Sequence, residues 1–391
     1  MSQLLINHSP DLQRLQNEGY EIEITSGHLI VNSVPYVNSK SEIAIGTLVS
    51  DLSLSGDITT RPATHVIHFI GDHPCDKGGA IIMAISHSSA IKKLTPEITT
   101  NHSFSNKPPT GYKDYHEKIT RYIEIISAPA KAIDPKITAC TFKVIQPKND
   151  DSPFAYEDTA SSRAGISALS EKLAVNKIAV IGLGGTGSYI LDLLAKTPIR
   201  EIHLFDGDEY QQHNAFRSPG AATLENLKRK LSKVDYLKEQ YSHMHKGIIA
   251  HHVYLNESDL LQLVDFNFIF LCIDNGLAKK PIIEYMMKNN IPFIDVGMGL
   301  HLVDNELLGT CRVTSISNEK SDHLNDRISF AAPLEDDAYS QNIQIADMNM
   351  LNAAMAVIKW KKICGFYQDI ENEHNSTYST NVNQMTSDET S

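Results

Sequence analysis

A chain of 391 residues is too long for one average domain and suits two, at roughly 100–200 residues each. Its 41% hydrophobic and 21% charged content is ordinary for a globular protein, and its net charge of −12 comes without a long Lys/Arg run. That argues against nucleic acid as the main partner, because phosphate-backbone binding needs a clustered basic surface. There is no N-terminal charged-then-apolar signal and no apolar run of about 18 residues, so neither export nor membrane spanning is expected, and a cytoplasmic location is.

In chain order, residues 1–147 read as a β-rich α+β domain. Short apolar or alternating runs at 19–25, 28–37, 42–52, 64–70 and 80–85 predict strands, and 117–126 predicts a helix. Turn formers concentrate at 146–153, which places a linker over 148–160. From 161 to 366 strands and helices alternate, the pattern of a doubly wound, mainly parallel Rossmann-like α/β sheet. Strands are predicted at 177–182, 201–206, 248–255, 267–274, 292–296 and 308–316, with helices at 188–196, 224–244, 257–264 and 277–289 and a last helix ending near Cys364. The stretch 317–341 is irregular, and the polar residues 367–391 read as a disordered tail.

The strand at 177–182 runs into Gly182-Leu-Gly184-Gly185-Thr-Gly187, which sets backbone N–H groups and a helix N-terminus against a phosphate. Gly182 permits the tight turn, Gly184 lets phosphates approach the backbone, and Gly187 allows close helix–strand packing. Alone, this spacing serves redox dinucleotides and ATP equally. Asp206 follows Gly187 by 19 residues, where a carboxylate holds a ribose hydroxyl or merely closes a strand, and Asp208 lies two further on. Asn214 and Arg217 bring an amide and a guanidinium to the same crevice, and Arg217 can fork two donors onto phosphate. Lys228, Lys230 and Lys233 lie off a Leu/Val stripe; Lys233 either points at phosphate or is solvated. Asp274, at the carboxyl edge of the sheet, suits Mg²⁺ or caps the following helix.

The ordered set Gly182 to Gly187, Asp206-Gly-Asp208, Asn214-x-x-Arg217, Lys233-Val234 and Asp274-Asn275 resembles the adenylation domain of ubiquitin-activating enzymes and their bacterial relatives, the ThiF/MoeB/HesA superfamily. The similarity covers about residues 160–365. It implies ATP and Mg²⁺ as cofactors and an adenylated ubiquitin-like or sulfur-carrier-like protein with a C-terminal Gly as the product. It assigns Asp206 to the ribose, Asn214, Arg217 and Lys233 to the phosphates, and Asp274 to Mg²⁺. It also makes Arg163 an arginine finger in trans, and so implies a homodimer, bacterial in type. A conjugating enzyme is the implied downstream partner. The N-terminal domain carries no motif and is expected to recruit the carrier or that enzyme.

The sequence departs from the family in two places. The arginine expected five residues after Asp274 is Lys279, and 317–341 holds no cysteine. Cys75, Cys140, Cys272, Cys311 and Cys364 are scattered without zinc-site spacing. Cys272 and Cys311 read as core residues. Three outcomes stay open: adenylation alone, a thioester on a cysteine from elsewhere, or an oxyester on Ser329 or Ser340. The alternatives from other classes are an NAD-dependent Rossmann oxidoreductase and a catalytically silent scaffold.

Overall fold

The computed structural model describes residues 2–143, 152–156, 158, 160–161, 166–330 and 344–390. Two compact units divide the chain, Met1–Ile145 with Glu157–Ala168 and Gln146–Tyr156 with Leu169–Ser391. Of the predicted linker 148–160, residues 148–151, 157 and 159 fall outside the described residues. Among the described residues no helix is long and apolar enough to cross a membrane.

The first unit is built on an antiparallel sheet of β1 (Glu21–Thr25), β2 (His28–Val37), β3 (Ile43–Asp51), β6 (Val66–Ile70), β10 (His102–Ser105) and β7 (Ser86–Ser88), in that spatial order. Two short hairpins, β4 (Leu54–Ser55) with β5 (Ile58–Thr59) and β8 (Lys92–Lys93) with β9 (Thr99–Thr100), accompany it. One sheet face, carrying Leu29, Val31, Leu48, Ile67, Phe69 and Phe104, packs on the helix Tyr115–Ile133 through Tyr115, Ile119, Tyr122 and Ile126. Asp114 caps that helix by accepting from Glu117 N–H at 2.8 Å, and it ends at Asp134, where the following proline disfavours helical backbone. On the same face Lys118 is wholly buried and donates to Ser50 Oγ at 2.9 Å. The predicted strand at 80–85 does not form. Asp76 Oδ1 accepts from Gly78 and Ala80 N–H, turning the backbone away from a ladder, and only an isolated bridge between Cys75 and Ile81 remains.

The second unit holds an eight-stranded sheet. Its strands are β11 (Lys177–Ile181), β12 (Glu201–Phe205), β13 (Ile248–His251), β14 (Phe268–Leu271), β15 (Phe293–Val303), β16 (Glu306–Ile316), β17 (Asn375–Ser379) and β18 (Gln384–Asp388). The spatial order is β13-β12-β11-β14-β15-β16-β17-β18, parallel from β13 to β15 and antiparallel beyond. Strand order reverses between β11 and β14, the position where ligands of open α/β sheets sit. Continuous apolar runs such as Ile178–Ile181 are buried because helices cover both faces. Leu191, Ala356 and Trp360, from the helices Gly185–Leu194 and Ala346–Ile363, cover one face, and Ile282 and Met286 of the helix Gly276–Lys288 cover the other.

Three predicted elements change. The 224–244 helix is two helices, Leu224–Lys228 and Lys233–Tyr241, parted where Lys230 takes φ +50° and where Ser232 Oγ accepts from Asp235 N–H at 3.1 Å as a new cap. The 257–264 helix shrinks to one 3₁₀ turn, Leu260–Leu263. The tail read as disordered instead forms β17 and β18. Backbone pairing onto β16, together with a 2.8 Å bond from the Thr314 hydroxyl to Asn375 Oδ1, supplies the order that its polar composition conceals. Just upstream, Asp369 and Glu373 pair with Lys359 and Lys362 at 3.1 and 2.8 Å.

Candidate active site

The carboxyl ends of β11, β12 and β14 open into a cavity of about 310 Å³, within the range of small-ligand pockets. Its floor is the glycine loop. Gly182 sits at φ +90°, and a Cβ there would lie 2.7 Å from Cys272 O. A Cβ on Gly187 would stand 1.9 Å from Gly182 O, so the close helix–strand approach admits only glycine. Gly184 lines the cavity with nothing within 4 Å of its Cβ position, leaving room for an oxyanion against the backbone. The helix Gly185–Leu194 begins there with no side-chain cap, three residues earlier than predicted, and so presents its free N–H groups and dipole to the cavity. Gly185 has a reason the sequence did not suggest: a Cβ would strike the Asn349 side chain at 2.0 Å.

Asp206 is held from two sides. Its Oδ2 accepts from Leu183 N–H in the glycine loop at 2.6 Å and its Oδ1 from Asp208 N–H at 2.8 Å. Lys233, only 6% exposed at the start of its helix, places Nζ 3.4 Å from Asp206 Oδ1 and bonds Asp208 Oδ2 as well. Lys228 and Lys230 are absent from the cavity wall. Tyr254, not anticipated from sequence, lies against Gly207, where a Cβ would meet its ring at 2.5 Å, and its hydroxyl donates to Asp208. Burial works to raise the Asp208 carboxyl, but the bonds from Lys233 and Tyr254 outweigh it and hold the group below the usual carboxylate range. Donation to that carboxylate in turn pushes the Tyr254 hydroxyl up to about 12. His213 is lowered by burial and by the charges of Arg217 and Lys233, a sign of positive potential at this end.

Arg217 lines the cavity, and its buried Nε has no hydrogen-bond partner among the described residues. A desolvated, unanswered guanidinium donor is the feature a bound anion would satisfy. Asn214 is buried and spends Oδ1 on Gln211 N–H at 2.8 Å, closing a capping box on the short helix Gln212–Ala215; it is not among the lining residues. Asn349, which sequence reasoning missed, ties the site together. Its Oδ1 accepts from the Thr186 hydroxyl at 3.0 Å, and its Nδ2 donates to Arg217 O at 3.5 Å.

Asp274 also lines the cavity, and its Oδ2 accepts from Gln344 Nε2 at 2.9 Å. Capping of the helix Gly276–Lys288 falls to Asn275, whose Oδ1 accepts from Leu277 and Ala278 N–H, so Asp274 is not needed there. A carboxylate on the wall of such a cavity fits Mg²⁺, which takes one or two protein carboxylates and completes its shell with water and phosphate. Lys279 does not face the cavity. It pairs with the wholly buried Asp295 at 2.6 Å, opposite Arg312 at 2.5 Å, in a structural triad of the sheet.

Burial raises the thiols of Cys75, of Cys272, of Cys311 to about 12 and of Cys364 to about 11, so none of these four is poised as a thiolate at neutral pH. Cys311 lies in the core as expected, whereas Cys272 lines the cavity. Ser329 is exposed and is not among the lining residues. Arg163 and Ser340 lie outside the described residues.

Two curated relatives share part of this chain. Ubiquitin-like modifier-activating enzyme 5 of Drosophila mojavensis is 24% identical over 169 residues, 40% of this chain and 42% of that protein. The tRNA threonylcarbamoyladenosine dehydratase of Haemophilus influenzae is 31% identical over 125 residues, 31% of this chain and 46% of that protein. The chain thus spans less than half the length of either relative. Among solved structures, E. coli MccB with ATP shares 16% identity at a TM-score of 0.45, covering 60% of this chain and 72% of that one. Residues 10–159 match a domain of unknown function, DUF6791. Residues 159–389, more than half of the chain and all of the sheet that carries the cavity, match the ThiF family, and the chain belongs to that family.

Proposed function

We propose that this chain is an ATP-dependent adenylyltransferase that activates the C-terminal carboxylate of a ubiquitin-like or sulfur-carrier-like protein ending in glycine. The observation that carries the reading is one cavity lined by the carboxylate pair Asp206 and Asp208, by Arg217, whose buried Nε has no partner among the described residues, and by Asp274. Asp206, fixed by Leu183 N–H, accepts from a ribose hydroxyl. The phosphates lie over Gly184 and the uncapped helix end, and Arg217 and Lys233 neutralise their charge, Lys233 exchanging a carboxylate contact for a phosphate oxygen. Mg²⁺ held by Asp274 would withdraw charge from the leaving pyrophosphate.

The carrier's carboxylate oxygen bonds to the α-phosphorus, the bond from that phosphorus to the bridging oxygen breaks, and pyrophosphate leaves with the electron pair. No proton moves, so the site needs no general base and its task is positioning and charge stabilisation. The four raised thiols support adenylation with hand-off to a conjugating partner over an internal thioester. On this reading Arg163 reaches the nucleotide of a second copy, and the N-terminal unit recruits the carrier or the next enzyme.

A protein substrate is favoured over tRNA because the chain carries −12 net charge with no basic run. An NAD oxidoreductase leaves Arg217 and Asp274 without a task. Pyrophosphate exchange into ATP, dependent on a Gly-terminated carrier, should vanish on Asp274→Ala; exchange at the wild-type rate overturns the reading.

A further inference from the structure

Gln344 stands two residues before the last helix and belongs to the cavity wall, yet it has no part in the adenylation chemistry. Its Nε2 is 2.9 Å from Asp274 Oδ2, while its Oε1 is buried with no partner among the described residues. The orientation of the amide follows from the contact: a carboxylate only accepts, so the NH₂ end faces Asp274 and the carbonyl end is left toward the site. A buried amide oxygen without a donor is uncommon, and it marks a place where a ligand supplies one.

We infer that Gln344 is a positioning residue for the divalent cation assigned to Asp274, fixing one carboxylate oxygen through Nε2 and accepting through Oε1 from a water of the hydrated ion. The inference rests on the proposed nucleotide site. Two properties of the ion support it. Mg²⁺ keeps several waters, each an O–H donor of the kind Oε1 lacks, and carboxylates that ligate metals are themselves held by hydrogen bonds. The lining residues contributed by the helix after Asp274, Ala278 and Ile282, carry apolar side chains.

The test measures affinity rather than turnover. Calorimetric titration of a non-hydrolysable ATP analogue into the full chain, with Mg²⁺ and with excess chelator, separates the metal-dependent part of binding from the rest. Gln344→Leu keeps the side chain's bulk while removing both hydrogen-bonding ends. It should cut the Mg²⁺-dependent gain in affinity by roughly 10–100-fold, the usual cost of losing such a partner, and leave the metal-free affinity unchanged. Gln344→Glu, which keeps an acceptor but sets a second negative charge beside Asp274, should raise the affinity for Mg²⁺ and shift its titration to lower concentration. A wild-type Mg²⁺ dependence retained in full by Gln344→Leu, or an equal loss with and without metal, overturns the inference alone. A wild-type protein that binds the analogue identically with and without Mg²⁺ overturns the metal role of Asp274 and this inference with it.

Discussion

Arg217 separates a functional guanidinium from a structural one, because its two roles move stability and binding in opposite directions. Its buried Nε has no partner among the described residues, and an unanswered buried donor costs about 1–3 kcal/mol. Arg217→Met keeps the aliphatic stem and removes that donor. The empty protein should therefore be unchanged in stability or gain about 1 kcal/mol. Nucleotide binding moves the other way. Losing charge-assisted bonds of about 1.5–3 kcal/mol to phosphate weakens affinity by roughly 10–150-fold, at 1.4 kcal/mol per decade. Arg217→Lys keeps the charge but not the fork, so it should fall between the two. Urea unfolding followed by Trp360, the only tryptophan and buried in the same unit, reports stability, and analogue titration reports affinity. A destabilised Arg217→Met protein that binds nucleotide as the wild type does would show that the guanidinium serves the fold and would refute the reasoning.

Two glycines of one loop should differ sharply. Gly187→Ala drives a Cβ to 1.9 Å from Gly182 O and should cost about 3 kcal/mol in unfolding together with nucleotide binding, whereas Gly184→Ala, at φ −72° with open space around it, should keep the unfolding midpoint and lose only affinity. In the first unit, burial lowers Lys118 from 10.5 to about 8. Between those values the unfolded chain holds a proton that the folded chain has lost, so stability rises with pH across that window and the penalty, about 3 kcal/mol, is complete below it. Lys118→Met should therefore raise amide protection in β3 at pH 7 by at least tenfold and abolish the change in protection, after correction for the base-catalysed intrinsic rate, between pH 7 and pH 10; unchanged protection at pH 7 would count against a desolvated lysine.

The residues visible in the sequence were those whose meaning is local. Gly182 to Gly187 and Asp206 owe their positions to consecutive strand, turn and helix, so spacing alone brought them to one crevice, and Arg217, Lys233 and Asp274 line the same cavity. Gln344 and Asn349 arrive from the far end of the chain, and one amide in a polar stretch carries no periodicity or motif to announce it. The helix break before Lys233 was written as Ser232-x-x-Asp235, a capping pattern, but the longer leucine stripe suggested one continuous helix; Leu224, the first residue of that stripe, is in fact exposed. The strands β17 and β18 were invisible for a different reason. Composition records what a segment can bury, and these strands are ordered by the ladder of their neighbour β16 rather than by an apolar face.

That break in the helix has a consequence for charge. By starting a helix at Lys233 it puts the lysine among the residues lining the cavity, where Arg217 and Lys233 face Asp206, Asp208 and Asp274. The lining groups therefore sum to a formal −1, offset by about half a charge from the helix N-terminus above Gly184. Such a cavity is close to neutral and gives little Coulomb attraction to a bare triphosphate. On the proposed reading, the nucleotide gains its affinity as a complex with a divalent cation, which meets the Asp274 side with opposite charge while Arg217 and Lys233 meet the remaining phosphate oxygens. Both ends of the cavity are then satisfied only when nucleotide and cation are present together. The arrangement of three carboxylates around two cations is thus itself a reason to expect that neither ligand binds well alone.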